Sequence, residues 1–71
     1  MALVQILGSN VKRLRLELGL SQEEFAHRAE LHPTYVSGIE GGRRNPTIQV
    51  VERIAKALNV EPARLLEVTQ N

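Results

Sequence analysis

Apolar residues recur at spacings of three and four along nearly the whole 71-residue chain. That is the period of helices with one buried face; strand signals are weak. Val4, Leu7, Val11, Leu14 and Leu18 line one side of a first helix, and Gly19 is placed to end it. Gly8 weakens the first turns, so residues 1–8 are expected to fray or to form an N-terminal arm. The second helix has a strong start: Ser21-Gln22-Glu23-Glu24 has the form of a capping box, with Leu20 and Phe25 set as a hydrophobic staple across it. Phe25, Ala26 and Ala29 then face inward, and the helix ends near Ala29. Glu30-Leu31 forms a short turn. His32 is a candidate cap for a third helix, and Pro33 suits its first position, where a missing N–H costs nothing. Val36 and Ile39 point to the core, and Gly41-Gly42 ends this helix. After the basic loop Arg43-Arg44-Asn45-Pro46, Thr47 is the expected cap of a fourth helix. Its apolar stripe is Ile48, Val51, Ile54, Ala55 and Leu58, and Asn59 ends it. Pro62 opens a short fifth helix carrying Leu65, Leu66 and Val68. The expectation is an all-α, compact five-helix domain spanning residues 1–71, with tight turns and mostly local contacts.

Composition narrows what such a bundle can do. A chain this short buries only about 60% of the surface its unfolded form exposes, so it is marginal alone. There are no cysteines to cross-link it or to hold a metal as thiolates. Well-packed helices and self-association are the remaining sources of stability. No apolar run approaches the ~18 residues that cross a bilayer. The N-terminal MALVQILG lacks a basic leader and a clean cleavage site, so a cytoplasmic location is expected, on the nucleoid when DNA-bound. The net charge is only +1, from nine Lys/Arg and eight Asp/Glu. Residues 1–45 hold six positive and five negative charges, and residues 46–71 three of each. A nucleic-acid interface would therefore depend on where charges sit, not on their number. One Phe, one Tyr and no Trp leave no platform for stacking single-stranded bases.

The informative spacing lies between residues 21 and 40. Two helices joined by a turn of three or four residues cross steeply, and the second stands proud of the domain. A proud helix fits a groove about 12 Å wide. Ala26 is small enough to let the two helices cross closely. The run Ser21-Gln22-Glu23-Glu24-Phe25-Ala26, then Ala29-Glu30-Leu31, Tyr35-Val36-Ser37-Gly38-Ile39-Glu40 and Arg44-Asn45-Pro46-Thr47 resembles the helix-turn-helix family of phage repressors and Cro proteins, the XRE-like family. Within it, HPTYVSGIEGGRRN is similar to the controller proteins of restriction–modification systems. The resemblance covers roughly residues 8–67 and implies a lambda-repressor-like fold. It implies that Gln22 binds a DNA phosphate from the start of helix two, where free N–H groups attract anions. By the same resemblance Thr34, Ser37 and Gly38 face base edges, and Tyr35 lies next to the DNA backbone with a base contact open to it. Arg43, Arg44 and Asn45 belong to the loop that reaches phosphates. Arg15 and Glu40 match a buried ion pair joining helix one to the end of helix three.

Two residues depart from the pattern. Glu30 stands where family members often have Gly in a left-handed turn, at a cost of roughly 1–2 kcal/mol. Pro33 stands where controller proteins often carry Arg, so a guanine-reading arginine is excluded there and the target sequence should differ.

Tyr35 could pack on the domain surface instead, and Lys12, Arg13 and Arg28 read as solvated helix charges. His27 and His32, five apart with a turn between, do not share a helix face, so no metal is expected. No arrangement around the serines resembles a nucleophile elbow, and a chain this small has little room for a pocket of the usual size. The chain is not expected to be an enzyme, and no cofactor or small-molecule ligand is expected. The composite expectation is a transcriptional regulator that binds a palindromic operator in double-stranded DNA as a homodimer. Helix four carries more apolar residues than one internal face needs. The dimer surface is therefore expected from helices four and five, about 47–67, through Ile48, Val51, Leu65, Leu66 and Val68. The alternative is a protein-interaction module or antitoxin-like adaptor, against which counts the lack of an extra segment to hold a toxin.

Overall fold

The computed structural model describes residues 2–68; residue 1 and residues 69–71 of the expected domain lie outside that description. Four α-helices follow in order: α1 Leu3–Glu17, α2 Gln22–Ala29, α3 Pro33–Glu40 and α4 Ile48–Leu58. They are followed by a single 3₁₀ turn, Pro62–Leu66. α1 packs on α3 and the 3₁₀ turn, α2 on α3 and α4, and α4 on the 3₁₀ turn. Phe25, Ile39, Ile54, Leu65, Val11 and Val36 are fully enclosed at the centre.

The expected fifth α-helix is corrected to that 3₁₀ turn. Five residues are too few to repay helix nucleation, and the carbonyls that would continue a helix are taken by a side chain. The buried Asn10 amide donates from Nδ2 to the Leu65 carbonyl (2.8 Å) and the Glu67 carbonyl (2.9 Å). Leu65 is also corrected as a dimer residue. It is fully buried inside its own copy, so a partner cannot reach it.

The four α-helices end in the same way. The residue after each helix, or one further on, takes a left-handed conformation: Gly19, Glu30, Gly42 and Asn59. The next N–H reaches back five residues along the chain, as in Leu31 to the Ala26 carbonyl (2.8 Å) and Val60 to the Ala55 carbonyl (3.0 Å). Each is a Schellman closure, which satisfies carbonyls that a helix end leaves free. At the end of α1 this closure moves the buried position. Leu18, expected on the core face, is 48% exposed, and Leu20 beyond the turn takes the buried place.

Gly8 neither frays α1 nor opens an arm. α1 runs through it unbroken, and a Cβ there would collide with the carbonyl oxygen of Ile39. Gly8 is the point at which α1 and the end of α3 come closest, and close approach outweighs helix propensity.

Glu30 adopts the left-handed conformation with φ 58°, and Arg53 Nε donates to the Ala29 carbonyl (3.2 Å) while its Nη2 donates to the Glu30 carbonyl. The turn is held by the closure and by Arg53 despite its Cβ. Glu30→Gly should therefore raise stability by about 1 kcal/mol, the relieved strain less the added freedom of the unfolded chain. A urea unfolding curve with an unchanged or lower midpoint would contradict this.

Candidate nucleic-acid interface

α2 begins as its sequence dictates. The Ser21 hydroxyl accepts from the Glu24 N–H (3.0 Å), and the Glu24 carboxylate accepts from the Ser21 N–H (2.8 Å). These bonds hold the Glu24 carboxyl below its usual range. α3 begins with His32 Nδ1 accepting from the Thr34 N–H (3.1 Å) and Pro33 in the first turn. Three residues, 30–32, separate the two helices. Ala26, 1% exposed, lies in the core with Val36 and Ile39 of α3.

The outer face of α3 presents Thr34, exposed, with Tyr35 and Ser37 half-buried. Gly38 is different: it is buried, and a Cβ there would collide with Cγ of Arg44. Its assignment to a base-facing position is corrected. Gly38 is the seat across which Arg44 lies, and the arginine covers it. The Arg44 guanidinium then sits over the Tyr35 ring, 5.8 Å from its centre, a cation–π geometry. Tyr35 also packs against the edge of the core, so the surface-packing reading describes it in the unbound chain. Arg43 turns back in the same direction, its Nη2 donating to the Ser37 carbonyl (3.4 Å). Two cations thus lie along α3, which carries no charge of its own except Glu40. Asn45 is exposed in the same loop.

Glu40 closes α3 in a paired state. Arg15 donates from Nε to one carboxylate oxygen (2.7 Å) and from Nη2 to the other (3.0 Å), with both side chains almost out of solvent. The third guanidinium nitrogen, Nη1, donates to the Leu20 carbonyl (2.7 Å). Glu40 raises the Arg15 pKa above its ordinary value, against the opposing effect of burial. Gln22, the first residue of α2, is half-buried and donates from Nε2 to Glu40 (3.1 Å). Its partner is thus inside the protein, which the sequence reading missed. Asn10 and Arg53 were missed as well. Asn10 had a readable signal, a polar residue among Leu7, Val11 and Leu14 on the buried face of α1. Arg53 had none, because its partners are backbone carbonyls about two dozen residues away. Among the described residues every buried side-chain nitrogen and oxygen has a partner.

A helix-turn-helix family model matches residues 11–65, most of the chain. The chain belongs to the helix-turn-helix family. This helix-turn-helix chain is 43% identical over 65 residues to control protein C.BamHI of Bacillus amyloliquefaciens, covering 90% of this chain and 80% of that protein. Its fold superposes on the restriction–modification controller protein C.AhdI of Aeromonas hydrophila with a TM-score of 0.85. The identity is 37%, and the match covers 87% of this chain and 94% of the other. It also matches the controller protein C.Esp1396I, solved as a tetramer in complex with its natural 35-base-pair operator. There the TM-score is 0.83 and the identity 38%, over 92% of this chain and 86% of that one. The HPTYVSGIEGGRRN resemblance to controllers is borne out by these relatives. No helix of the described residues is long and apolar enough to cross a membrane.

Two measurements check the local chemistry. The Glu24 carboxyl is depressed in the folded state, so its contribution to stability is present above its unfolded value and is lost as pH falls through its folded value. Glu24→Gln should flatten that part of the stability curve between about pH 5 and pH 2, and an unchanged slope would contradict it. Glu40→Ala leaves Arg15 buried without its carboxylate and should cost about 3–5 kcal/mol in urea unfolding. A loss under about 1 kcal/mol, the range of exposed pairs, would show that the pair is not structural.

Proposed function

We propose that this chain is a sequence-specific transcriptional regulator that binds a palindromic operator as a homodimer, of the kind that controls a restriction–modification system. The observation that carries the reading is the proud third helix. It presents Thr34, Tyr35 and Ser37, with Gln22 at the start of α2 bonded to its last residue, Glu40, and the Arg43 and Arg44 side chains lying back along it. A helix so placed enters a major groove while its flanks meet the two phosphate ridges. Relatives named as control proteins, and one solved on its operator, support this reading. The chain acts in the cytoplasm, on the nucleoid, and by binding rather than by catalysis.

Dimensions call for two copies. The described residues extend 29 Å at most, less than the ~34 Å between successive turns of the same groove, so one copy reads one half-site. The dimer surface we assign is Ile48, Val51, Leu66 and Val68. Ile48 is 77% exposed and Val68 54%, and burying them supplies core that a domain of this size lacks.

Affinity and specificity divide between residues. Gln22, Arg43, Arg44 and Asn45 hold the backbone, and the two cations release counterions on binding. Thr34, Tyr35 and Ser37 read bases. Only short side chains and one ring reach the groove, so the shape of the DNA carries part of the discrimination. Arg43→Ala should weaken binding to operator and random duplex alike and reduce the salt slope by about one, while Thr34→Ala should weaken the operator alone, by about tenfold. Binding titrations at several salt concentrations check this; equal losses on both duplexes for both variants would refute the division.

A further inference from the structure

We infer that Glu40 is a positioning residue for DNA binding: through its bond to Nε2 it fixes the Gln22 side-chain amide in the orientation that meets a phosphate. The inference rests on the reading of Gln22 as a backbone contact made above. A terminal amide has two faces, one donating and one accepting, and rotation about its last bond exchanges them. A phosphate can only accept. An unrestrained Gln22, free to rotate about every side-chain bond, would aim its amino group at the phosphate in only a small fraction of its rotamers.

Glu40 removes that ambiguity. A carboxylate is acceptor-only, so the group turned toward it at 3.1 Å is the amino group. One of the two Nε2 hydrogens is used there. The second stays free for a phosphate oxygen, beside the N–H groups at the start of α2 that also lack helical partners. The same contact would normally repel DNA, since it sets a carboxylate behind the phosphate site. Arg15 answers this by holding both Glu40 oxygens, at 2.7 and 3.0 Å, so that the pair is close to neutral. Glu40 ends α3, Gln22 starts α2 and Arg15 comes from α1, so the amide is aimed by the same three helices that set the tilt of α3.

The test is a double-mutant cycle, read as affinity for a random-sequence duplex at low salt. Gln22→Ala alone should weaken binding by about tenfold, the order expected for one hydrogen bond to a charged oxygen. In the double variant Arg15→Met/Glu40→Leu, which removes both charges and keeps apolar volume, Gln22→Ala should weaken binding less than twofold. A tenfold loss in both backgrounds would overturn the positioning role and leave the phosphate contact standing. No loss in either background would overturn the phosphate contact and the inference with it. A purely structural pair lowers affinity by the same factor whatever occupies position 22.

A readout on the unaltered protein covers the case in which the double variant fails to fold. In its NMR spectrum one Gln22 Nε2 proton should exchange with water more slowly than those of the exposed Gln49. Equal exchange at the two glutamines would overturn the inference.

Discussion

The ion pair between Arg15 and Glu40 is the constraint on which the rest of this structure depends. It ties the last turn of α1 to the last residue of α3, and the remaining Arg15 nitrogen holds the Leu20 carbonyl just before α2 begins. Such a pair does little for net stability, because taking both charges out of water offsets their attraction. It specifies geometry instead. An unpaired arginine or glutamate at either site would be a buried charge, so arrangements of the three helices that separate the two are excluded. Gly8 works in the same place, since only a residue without Cβ lets α1 come this close to the Ile39 carbonyl.

With its far end fixed in this way, α3 is held at its near end by Pro33 and the His32 cap, and along its inner face by Val36 and Ile39. Its outer face then has no structural duty beyond the seat at Gly38 and the side of Tyr35 that packs on the edge of the core. Arg44 crosses that seat and stacks on Tyr35, and Arg43 lies beside it, so the two cations we propose as phosphate contacts are gathered along the helix in the unbound chain. This explains how a chain with a net charge of only +1 can serve a polyanion. Placement supplies what composition does not.

Much of this was legible in the sequence because the signals were local. The capping box at Ser21 and Glu24, the Pro33 start, the Thr47 cap and the left-handed Glu30 each depend on neighbours a few residues away, and each is found where the pattern put it. What the sequence concealed depends on distant partners. Gly8 reads as a weak helix position until the carbonyls of α3 are set against it. Leu65 reads as a surface residue of a short helix until the Asn10 amide is found holding its carbonyl. Gly38 reads as part of the face that meets DNA until Arg44, six residues on, lies over it. Gln22 reads only as a phosphate contact, because its internal partner Glu40 is 18 residues away. At the interface, then, residue identity pointed to the helix and the loop, and only the fold gave the direction each side chain takes.

In the proposed complex α3 occupies a major groove, and two copies read adjacent turns of one face of DNA. Chemical footprinting on a duplex selected by the protein from random sequence tests it most directly. Two protected backbone stretches with centres ~34 Å apart are expected, with guanine N7 shielded in the major groove within each. A single protected stretch, or shielding of adenine N3 in the minor groove with guanine N7 left open, would contradict it.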